Sequence, residues 1–346
     1  GTGRVMRRAV AIVGMAAVAV LVAAACGGTA GDSDGAAAEA AATDTAAEQA
    51  DQVWEEHVPE GECRCADGSD FRYFSRDADP DKVLLYFQGG GACFSEQSCS
   101  FTGGSYLVQA DAGLADVGES GPGIFDFTND ENPFRDWSVV FVPYCTGDVH
   151  IGDVVRTYGD DLTVNHVGFV NASKGLDHVV ENYPDASEVV VAGSSAGGIP
   201  SPLFGGLVSD ELPDADVSVL ADASGGYPDN PPVNVAIGSL WGAYDNVPDW
   251  PVNEDLTPEE WSIPGFFVQT GRHAPDVRMA RYDNAYDETQ QQFALLSGIG
   301  EGDVLSVLDS TEADIEAAGV PLRSYVAPGT DHTILTSDAL YDLEVE

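Results

Sequence analysis

Basic residues are scarce in this chain of 346 residues, which has 14 Lys and Arg against 58 Asp and Glu and a formal net charge of -44. Lysine itself occurs only twice, at Lys82 and Lys174. Because such a chain is repelled by nucleic acid and by anionic membrane surfaces, we expect neither to be a partner of its folded part. Dense carboxylates also keep a surface hydrated in strong salt, where screening weakens their mutual repulsion. The composition therefore favours a halophilic source, and an acidic exported protein of any GC-rich prokaryote is the alternative.

Cysteine and histidine are also few, at six residues each. Their spacing matches no zinc pattern, so we expect no bound metal. In an oxidising compartment, the cysteines beyond Cys26 predict two disulfides, with one thiol left over or paired between chains. These five cysteines are Cys63, Cys65, Cys93, Cys99 and Cys145.

The first 25 residues begin with three arginines and continue as an apolar run over residues 9–25. A positive start followed by a short apolar segment is typical of a secretory signal, and the run is shorter than the ~20 residues that span a bilayer. Three alanines directly precede Cys26, which resembles a bacterial lipoprotein processing site. We therefore predict a signal peptide over 1–25 and lipid attachment at Cys26, with simple secretion or an uncleaved anchor as alternatives.

Residues 26–52 contain mostly Ala, Gly, Asp, Glu and Thr, with almost no large apolar side chain. Such a segment cannot bury enough surface to offset the entropy lost on ordering. We predict a disordered acidic tether over 26–52. The remaining residues, 53–346, are long enough for one domain with a substantial core.

Short apolar runs alternate with helical periodicity along this domain, and a helix is predicted from about 161 to 183. This alternation predicts an α/β fold, with a mostly parallel sheet covered by helices on both faces. Residues 228–262 interrupt the alternation with many Pro, Asn and Asp residues, which indicates a lid-like insertion over the sheet. The predicted strands are 83–87, 139–142, 189–192, 217–221, 277–282 and 322–326.

The segment GSSAG, residues 193–197, has the form G-x-S-x-G between a predicted strand and a predicted helix. Small residues allow the tight turn that lifts a serine hydroxyl above a sheet edge, and the following helix N-terminus favours an oxyanion. Ser195 is the nucleophile candidate. Ser194 is the alternative in the neighbouring register, and a structural or phosphate-binding loop is the non-catalytic interpretation. The glycines 89–91 follow an earlier strand, where they let the backbone approach an ester oxygen.

A serine of this kind needs a histidine base late in the chain and an acid between the two. His332 follows the last predicted strand, and Asp287 follows the strand before it. Three other acids compete for the second role, namely Asp222, Asp276 and Asp283. The other histidines are predicted to lie beside the tether (His57), on a helix face in solvated or capping roles (His166 and His178), near a helix end (His273), and in a loop that could line the pocket (His150).

Five blocks in this order resemble the pectin acetylesterase family, which includes the animal carboxylesterase Notum: LLYFQGGGACFSEQSC, FVPYCTGDVHIGD, AGSSAGG, AYDETQ and GTDHTIL. The resemblance extends from about residue 65 to residue 336. It implies an α/β-hydrolase fold that hydrolyses esters through a triad of Ser195 as nucleophile, His332 as base and Asp287 as its partner.

The resemblance also implies an oxyanion hole formed by the backbone N–H groups of Gly90, Gly91 and Ala196. It implies the disulfides Cys93–Cys99 and Cys65–Cys145, with Cys63 unmatched.

The expected protein is an exported serine carboxylesterase, either lipid-anchored outside the cell membrane or secreted, that uses no cofactor. We expect it to hydrolyse short acyl esters of a small molecule or glycan, first of all acetyl groups on carbohydrate. Fatty-acyl esters of the Notum type are the alternative substrate. The rival class is a non-catalytic surface lipoprotein on the same fold, although the complete set of Ser, Asp and His disfavours it.

Overall fold

The computed structural model describes residues 54–110, 121–298 and 303–343. The predicted signal peptide, the lipid-attachment site at Cys26 and the tether over 26–52 lie outside these residues and stay predictions. Within the described ranges, no helix is both long and apolar enough to cross a membrane.

The elements of the described chain alternate between strands and helices for most of its length. The strands are β1 (Glu55–His57), β2 (Tyr73–Arg76), β3 (Asp79–Phe87), β4 (Trp137–Val142), β5 (Val154–Tyr158), β6 (Leu162–His166), β7 (Glu188–Ser194), β8 (Asp216–Asp222), β9 (Arg278–Asn284) and β10 (Leu322–Ala327). The α-helices are α1 (Glu96–Cys99), α2 (Gly168–Asn182), α3 (Ser201–Glu211), α4 (Pro231–Trp241), α5 (Ile263–His273), α6 (Glu288–Leu296) and α7 (Val304–Ala317).

Eight of these strands form one sheet in the order β1-β2-β4-β3-β7-β8-β9-β10. The six strands from β4 to β10 along that order are parallel to one another. At the edge of the sheet, β2 pairs antiparallel with β4, and β1 pairs antiparallel with β2. The six parallel strands are the six that the apolar runs predict. The α/β-hydrolase class is therefore confirmed, and the carboxyl ends of β3, β7, β8, β9 and β10 meet at one edge of the sheet.

The prediction of a helix over 161–183 is wrong for its first residues, because the helix starts later than predicted. Residues 162–166 form β6, which pairs with β5 in a separate antiparallel hairpin, and α2 starts at Gly168. Along β6 the odd-numbered positions are more exposed and Val164 and His166 are buried, which is the two-residue period of a strand. The helix instead begins where the Asp148 carboxylate accepts a hydrogen bond from the Gly168 N–H at 2.7 Å.

The core lies on both faces of the sheet because side chains along a strand alternate in direction. Val83 and Leu85 of β3 pack with α2, α3 and α5 on one face. Leu84 and Tyr86 point to the other face. That face packs against the short 3₁₀ helix Gly123–Phe125 and the segment around Leu335.

The predicted insertion over 228–262 contains α4 and two 3₁₀ helices, Ala243–Asn246 and Pro251–Asn253. Its three tryptophans are at most 5% exposed and form a third apolar cluster with residues such as Ile199 and Phe266. The Trp241 Nε1–H donates to the carbonyl oxygen of Cys93 at 3.0 Å, which ties the insertion to the segment after β3. The tryptophans are Trp241, Trp250 and Trp261.

The structure contains both disulfides that the family resemblance implies, Cys65–Cys145 and Cys93–Cys99. They close loops of very different size, with sequence separations of 80 and 6 residues. Cys63 is a buried free thiol whose pKa is raised by burial, so it is an unreactive apolar side chain at neutral pH.

Removing the long-range disulfide should destabilise the protein more than removing the short one. The loop entropy released to the unfolded chain corresponds to about 4–5 kcal/mol for the Cys65→Ala, Cys145→Ala double variant and about 2 kcal/mol for Cys93→Ala, Cys99→Ala. Urea unfolding in constant salt measures both values. Equal losses, or peptide mapping that finds Cys63 bridged to Cys145, would contradict the assignment.

Candidate active site

A sharp turn at the end of β7 presents Ser195. Its backbone φ is +55°, a left-handed conformation that non-glycine residues rarely adopt outside functional turns. A side chain at Gly197 would overlap the carbonyl oxygen of Phe87 at the end of β3, and one at Gly193 would overlap that of Gly197. The two glycines of the G-x-S-x-G segment therefore let the turn pack directly against the neighbouring strand, as a nucleophile turn requires.

His332 lies between Ser195 and Asp287 in hydrogen-bond contact with both. Its Nε2 is 2.7 Å from Ser195 Oγ, and its Nδ1 is 2.7 Å from Asp287 Oδ2. The Asp287 side chain is fully buried, whereas the His332 side chain is 24% exposed. With Nδ1–H donating to the carboxylate, Nε2 is left as the acceptor for the serine hydroxyl, which is the arrangement that makes a serine nucleophilic.

Ser194, the alternative nucleophile, points elsewhere. Its hydroxyl donates to Asp222 Oδ2 at 2.6 Å and accepts a hydrogen bond from the Tyr86 hydroxyl at 2.9 Å. The side chain is 3% exposed. Of the two serines, the structure therefore brings Ser195 to the histidine and uses Ser194 in a buried network.

Asp287 is held by three groups besides His332. Its Oδ1 accepts hydrogen bonds from the N–H groups of Thr289 and Gln290, each at 2.9 Å, so that it caps the N-terminus of α6. The Gln290 Nε2 donates to Oδ2 at 3.0 Å. Sequence reasoning missed Gln290, although an Asp followed three residues later by Gln has the spacing of a capping box and predicts a helix start at this point.

The competing acids do not reach His332. Asp283 is fully buried in β9, accepts hydrogen bonds from Gly225 N–H and Gln290 Nε2, and has its pKa raised to about 6 by burial. Its Oδ2 has no hydrogen-bond partner and lies 3.8 Å from Arg281 Nε. Asp276 is exposed just before β9, at the opposite edge of the sheet. Asp222 contacts the loop after His332 but not the imidazole itself.

The proposed oxyanion donors border the same serine. Gly90 and Gly91 follow β3 with φ values of +159° and +80°, and both line the groove at Ser195 together with His332. The Gly90 carbonyl accepts from Leu107 N–H at 2.8 Å, which fixes the loop. Outside the helices and strands, no backbone–backbone hydrogen bond of the described residues is donated by the amides of Gly90, Gly91 or Ala196. The three amides therefore stay the predicted oxyanion donors.

His150 does not line the pocket, contrary to the expectation from its loop position. It is 1% exposed, and its Nε2–H donates to the carbonyl oxygen of Gln88 at 2.9 Å. Burial lowers its pKa to about 4, so that it stays neutral. Its neighbours Val149 and Ile151 reach the pocket instead, because the chain reverses direction around His150. The histidine supports the residue that precedes the three glycines.

Two further histidine expectations are wrong. His166 lies in β6 rather than on a helix, is fully buried, donates from Nδ1–H to the Thr146 carbonyl and accepts from the Tyr158 hydroxyl at 2.8 Å. His178 is on α2 but is buried, with Nδ1 3.2 Å from the Tyr73 hydroxyl. Burial lowers the pKa of both, to about 4 for His166.

The two remaining histidines lie where the sequence places them. His57 is in β1, next to the segment predicted as a tether. His273 is the last residue of α5, where its Nε2–H donates to Asp210 at 2.6 Å. Their hydrogen-bond and ring partners among the described residues lie outside the candidate site: Ser75, Tyr73 and His178 for His57, and Asp210 and Trp250 for His273.

Two cavities of different character meet at Ser195 and Gly91. One is an open groove bordered by His332 and by hydroxyl side chains such as Ser105, Thr289 and Thr333. The other is a narrower apolar pocket that extends under α4. Large side chains form its walls, namely Phe94, Ile199, Tyr227, Val233, Ile237, Trp241, Trp261, Phe266 and Phe293. A substrate with one apolar and one hydroxylated part would fit across the serine.

Within the described ranges, one group of three potential metal ligands comes together, formed by Cys93, Cys99 and His166. The two sulfur atoms are joined in a disulfide, so they offer no thiolate. His166 is already engaged at both ring nitrogens. This cluster is structural.

The parallel sheet and the Ser195–His332–Asp287 arrangement at its carboxyl edge define the α/β-hydrolase class. The sequence profile of the pectinacetylesterase family matches residues 47–248, which include Ser195 but neither Asp287 nor His332. The chain belongs to the pectinacetylesterase family.

Named relatives of two kinds are similar to the chain. Palmitoleoyl-protein carboxylesterase notum2 of Xenopus laevis is 31% identical over 137 residues, which cover 39% of this chain and 28% of the relative. Pectin acetylesterase 4 of Arabidopsis thaliana is 28% identical over 152 residues, covering 42% and 35%. The inactive palmitoleoyl-protein carboxylesterase notum1b of Danio rerio is 30% identical over 95 residues, covering 27% and 68%. The chain thus spans about a third or less of the first two relatives.

Replacing Asp283 should reduce the pH dependence of stability. The folded-state pKa of about 6 lies above the ordinary value of 3.8, so the folded protein binds the extra proton between these values. The contribution of the protonated Asp283 carboxyl to the free energy of unfolding is present below about pH 4 and is lost as the pH rises through about 6. Asp283→Asn removes this change, which is up to about 3 kcal/mol between pH 4 and 7.

Urea unfolding at several pH values measures the effect. The matched control is Asp276→Asn, an exposed carboxylate near the start of the same strand. An Asp283→Asn variant with the same pH profile as Asp276→Asn would show that the Asp283 carboxyl titrates normally in the folded protein.

Proposed function

We propose that this chain is a serine carboxylesterase in which Ser195 is the nucleophile, His332 the general base and Asp287 the acid that orients it. The observation that carries the proposal is the continuous chain of two 2.7 Å hydrogen bonds from Ser195 Oγ through His332 to the buried Asp287. Membership of the family and the names of its carboxylesterase relatives support the reaction class.

The reaction is a two-step acyl transfer. His332 Nε2 takes the proton of Ser195 as Oγ attacks the ester carbonyl carbon, and the resulting oxyanion accepts hydrogen bonds from the amides of Gly90, Gly91 and Ala196. The imidazolium then protonates the leaving alcohol, and an acyl-enzyme remains. His332 next takes a proton from water as the water oxygen attacks the acyl carbon, and the imidazolium returns this proton to Ser195 Oγ as the bond from Oγ to the acyl carbon breaks and the acid is released. Each proton is carried by the protein, so the scheme requires no cofactor.

The apolar pocket supports an acyl group longer than acetyl. Its walls offer mainly aliphatic and aromatic surface, and each buried methylene contributes about 0.8 kcal/mol to binding. An acetyl group would leave most of this surface uncovered. The hydroxyl-lined groove on the other side of Ser195 suits the alcohol part of the ester.

Acetyl esters of carbohydrates are the second candidate substrate. The family description and the resemblance to a pectin acetylesterase favour them, and the hydroxyl side chains that line the open groove are suitable hydrogen-bond partners for a sugar. At low salt, the net charge of -44 disfavours a polyanionic glycan, and screening at high salt relieves the repulsion.

A non-catalytic role on the same fold is the rival class, and a relative named as inactive shows that the family includes such proteins. What weighs against this role here is the presence of Ser195, His332 and Asp287 in hydrogen-bond contact.

Export of the protein is part of the proposal. Two disulfides fit an oxidising compartment, and the arginines followed by an apolar run fit a secretory signal. Lipid attachment at Cys26 would hold the enzyme on the outer side of the cell membrane, with residues 26–52 as a tether.

Replacing either end of the proposed triad should abolish turnover without unfolding the protein. Ser195→Ala should lower kcat on the order of 10⁶-fold. Asp287→Asn should lower it roughly 10⁴-fold, because His332 loses the acceptor that fixes its tautomer. Hydrolysis of a chromogenic ester and labelling by a fluorophosphonate, both in molar salt, measure these losses, and circular dichroism checks the fold.

Asp283→Asn is the matched control, since Asp283 is equally buried but does not contact His332. Normal turnover of Asp287→Asn with collapse of Asp283→Asn would transfer the acid's role to Asp283. A wild-type protein that no fluorophosphonate labels at any salt concentration would support the non-catalytic class.

The acyl preference should follow the apolar pocket. With p-nitrophenyl esters from acetyl upward, kcat/KM should rise about fourfold for each methylene that enters the pocket. Ile237→Trp fills part of the pocket and should remove this gain while leaving acetyl hydrolysis unchanged. The matched control is Val155→Trp, at an exposed position of β5.

Acetylated oligosaccharides belong in the same panel. A preference for them over every longer acyl ester, unaffected by Ile237→Trp, would favour the second candidate.

A further inference from the structure

Asp222 is a fully buried carboxylate that the proposed mechanism does not use. It is the last residue of β8 and contacts neither Asp287 nor the imidazole of His332. It nevertheless accepts hydrogen bonds from three donors. These are the Ser194 hydroxyl at 2.6 Å, the Ile334 N–H at 3.1 Å from each oxygen, and the Leu335 N–H at 3.0 Å.

Each of these donors adjoins a reacting residue. Ser194 directly precedes Ser195, and it is paired in register with Asp222 across β7 and β8. Ile334 and Leu335 follow His332 by two and three residues. One carboxylate therefore connects the turn that carries Ser195 to the loop that carries His332. These two residues are 137 positions apart in the sequence.

The direction of the hydrogen bonds requires a carboxylate at this position. Tyr86 donates its hydroxyl proton to Ser194 Oγ, so the Ser194 proton is directed at Asp222. The Ile334 and Leu335 backbone amides can only donate. Three donors converge on one group, and an ionised carboxylate accepts all of them, whereas an amide would turn its NH₂ group towards at least one donor.

We propose that Asp222 is a positioning residue that fixes the distance between Ser195 Oγ and His332 Nε2. This inference rests on the proposed function, because it concerns the geometry of the same proton transfer. Asp222 lines neither the groove nor the apolar pocket. Its loss should therefore lower kcat and leave KM unchanged, and this split distinguishes positioning from substrate binding.

Asp222→Asn tests the proposal. The variant keeps the shape of the side chain but sets its NH₂ group against a donor, which displaces the turn or the loop. A misplacement on the order of 1 Å can cost roughly 10²-fold in rate. We expect losses of that size in kcat for a chromogenic ester and in the rate of fluorophosphonate labelling at Ser195, both expressed per folded molecule.

Ser194→Ala is the second variant and keeps the test decisive if Asp222→Asn does not fold. It removes the link to the nucleophile turn and leaves the contacts to Ile334 and Leu335. We expect a smaller loss of kcat, roughly tenfold, the scale of one charge-assisted hydrogen bond. The matched control is Asp216→Asn, which removes an exposed carboxylate from the first residue of β8 and should retain full activity.

The outcomes separate this inference from the proposed function. An active wild type together with a normal kcat in Asp222→Asn, or in Ser194→Ala where the first variant is unfolded, would overturn the positioning role alone. A purely structural role would lower the thermal midpoint of Asp222→Asn but leave kcat per folded molecule at the wild-type value, and would also overturn it. A wild type that reacts with no ester and no fluorophosphonate would overturn the proposed function and this inference with it.

Discussion

The burial of negative charge at one edge of the parallel sheet organises the whole site. Asp222, Asp283 and Asp287 are fully buried where β8 and β9 end, in a protein whose surface is already strongly acidic. A buried carboxylate is costly unless donors surround it. Backbone amides, Ser194, Gln290 and the His332 imidazole supply them, and the same hydrogen bonds fix the groups around Ser195.

Close backbone packing is the second constraint. The turn at Ser195 lies against the end of β3 because Gly193 and Gly197 carry no side chains, and Gly90 and Gly91 line the groove at the same serine. The buried His150 supports this loop through the Gln88 carbonyl. The site is therefore formed by neighbouring strand ends, which explains how residues far apart in sequence come together there.

The apolar pocket contrasts with the charged exterior. The insertion that contains α4 supplies several of its walls and is attached to the segment after β3 through Trp241 and Cys93. In the proposed function, substrate selection depends on an element outside the parallel sheet, whereas the proposed triad lies in turns and loops that follow its strands.

The sequence by itself determined the parallel strands, the serine turn and the late histidine, because apolar runs, glycine spacing and chain order are local signals. It misplaced the start of α2 and the environments of His150, His166 and His178, since burial depends on what packs from elsewhere. Position along the chain left Asp283 and Asp222 open beside Asp287, which the family resemblance named, and the tertiary structure brings Asp287 into contact with His332. All three acids lie near strand ends in an acid-rich chain, and which one reaches the imidazole depends on strand register and the direction in which each loop leaves the sheet.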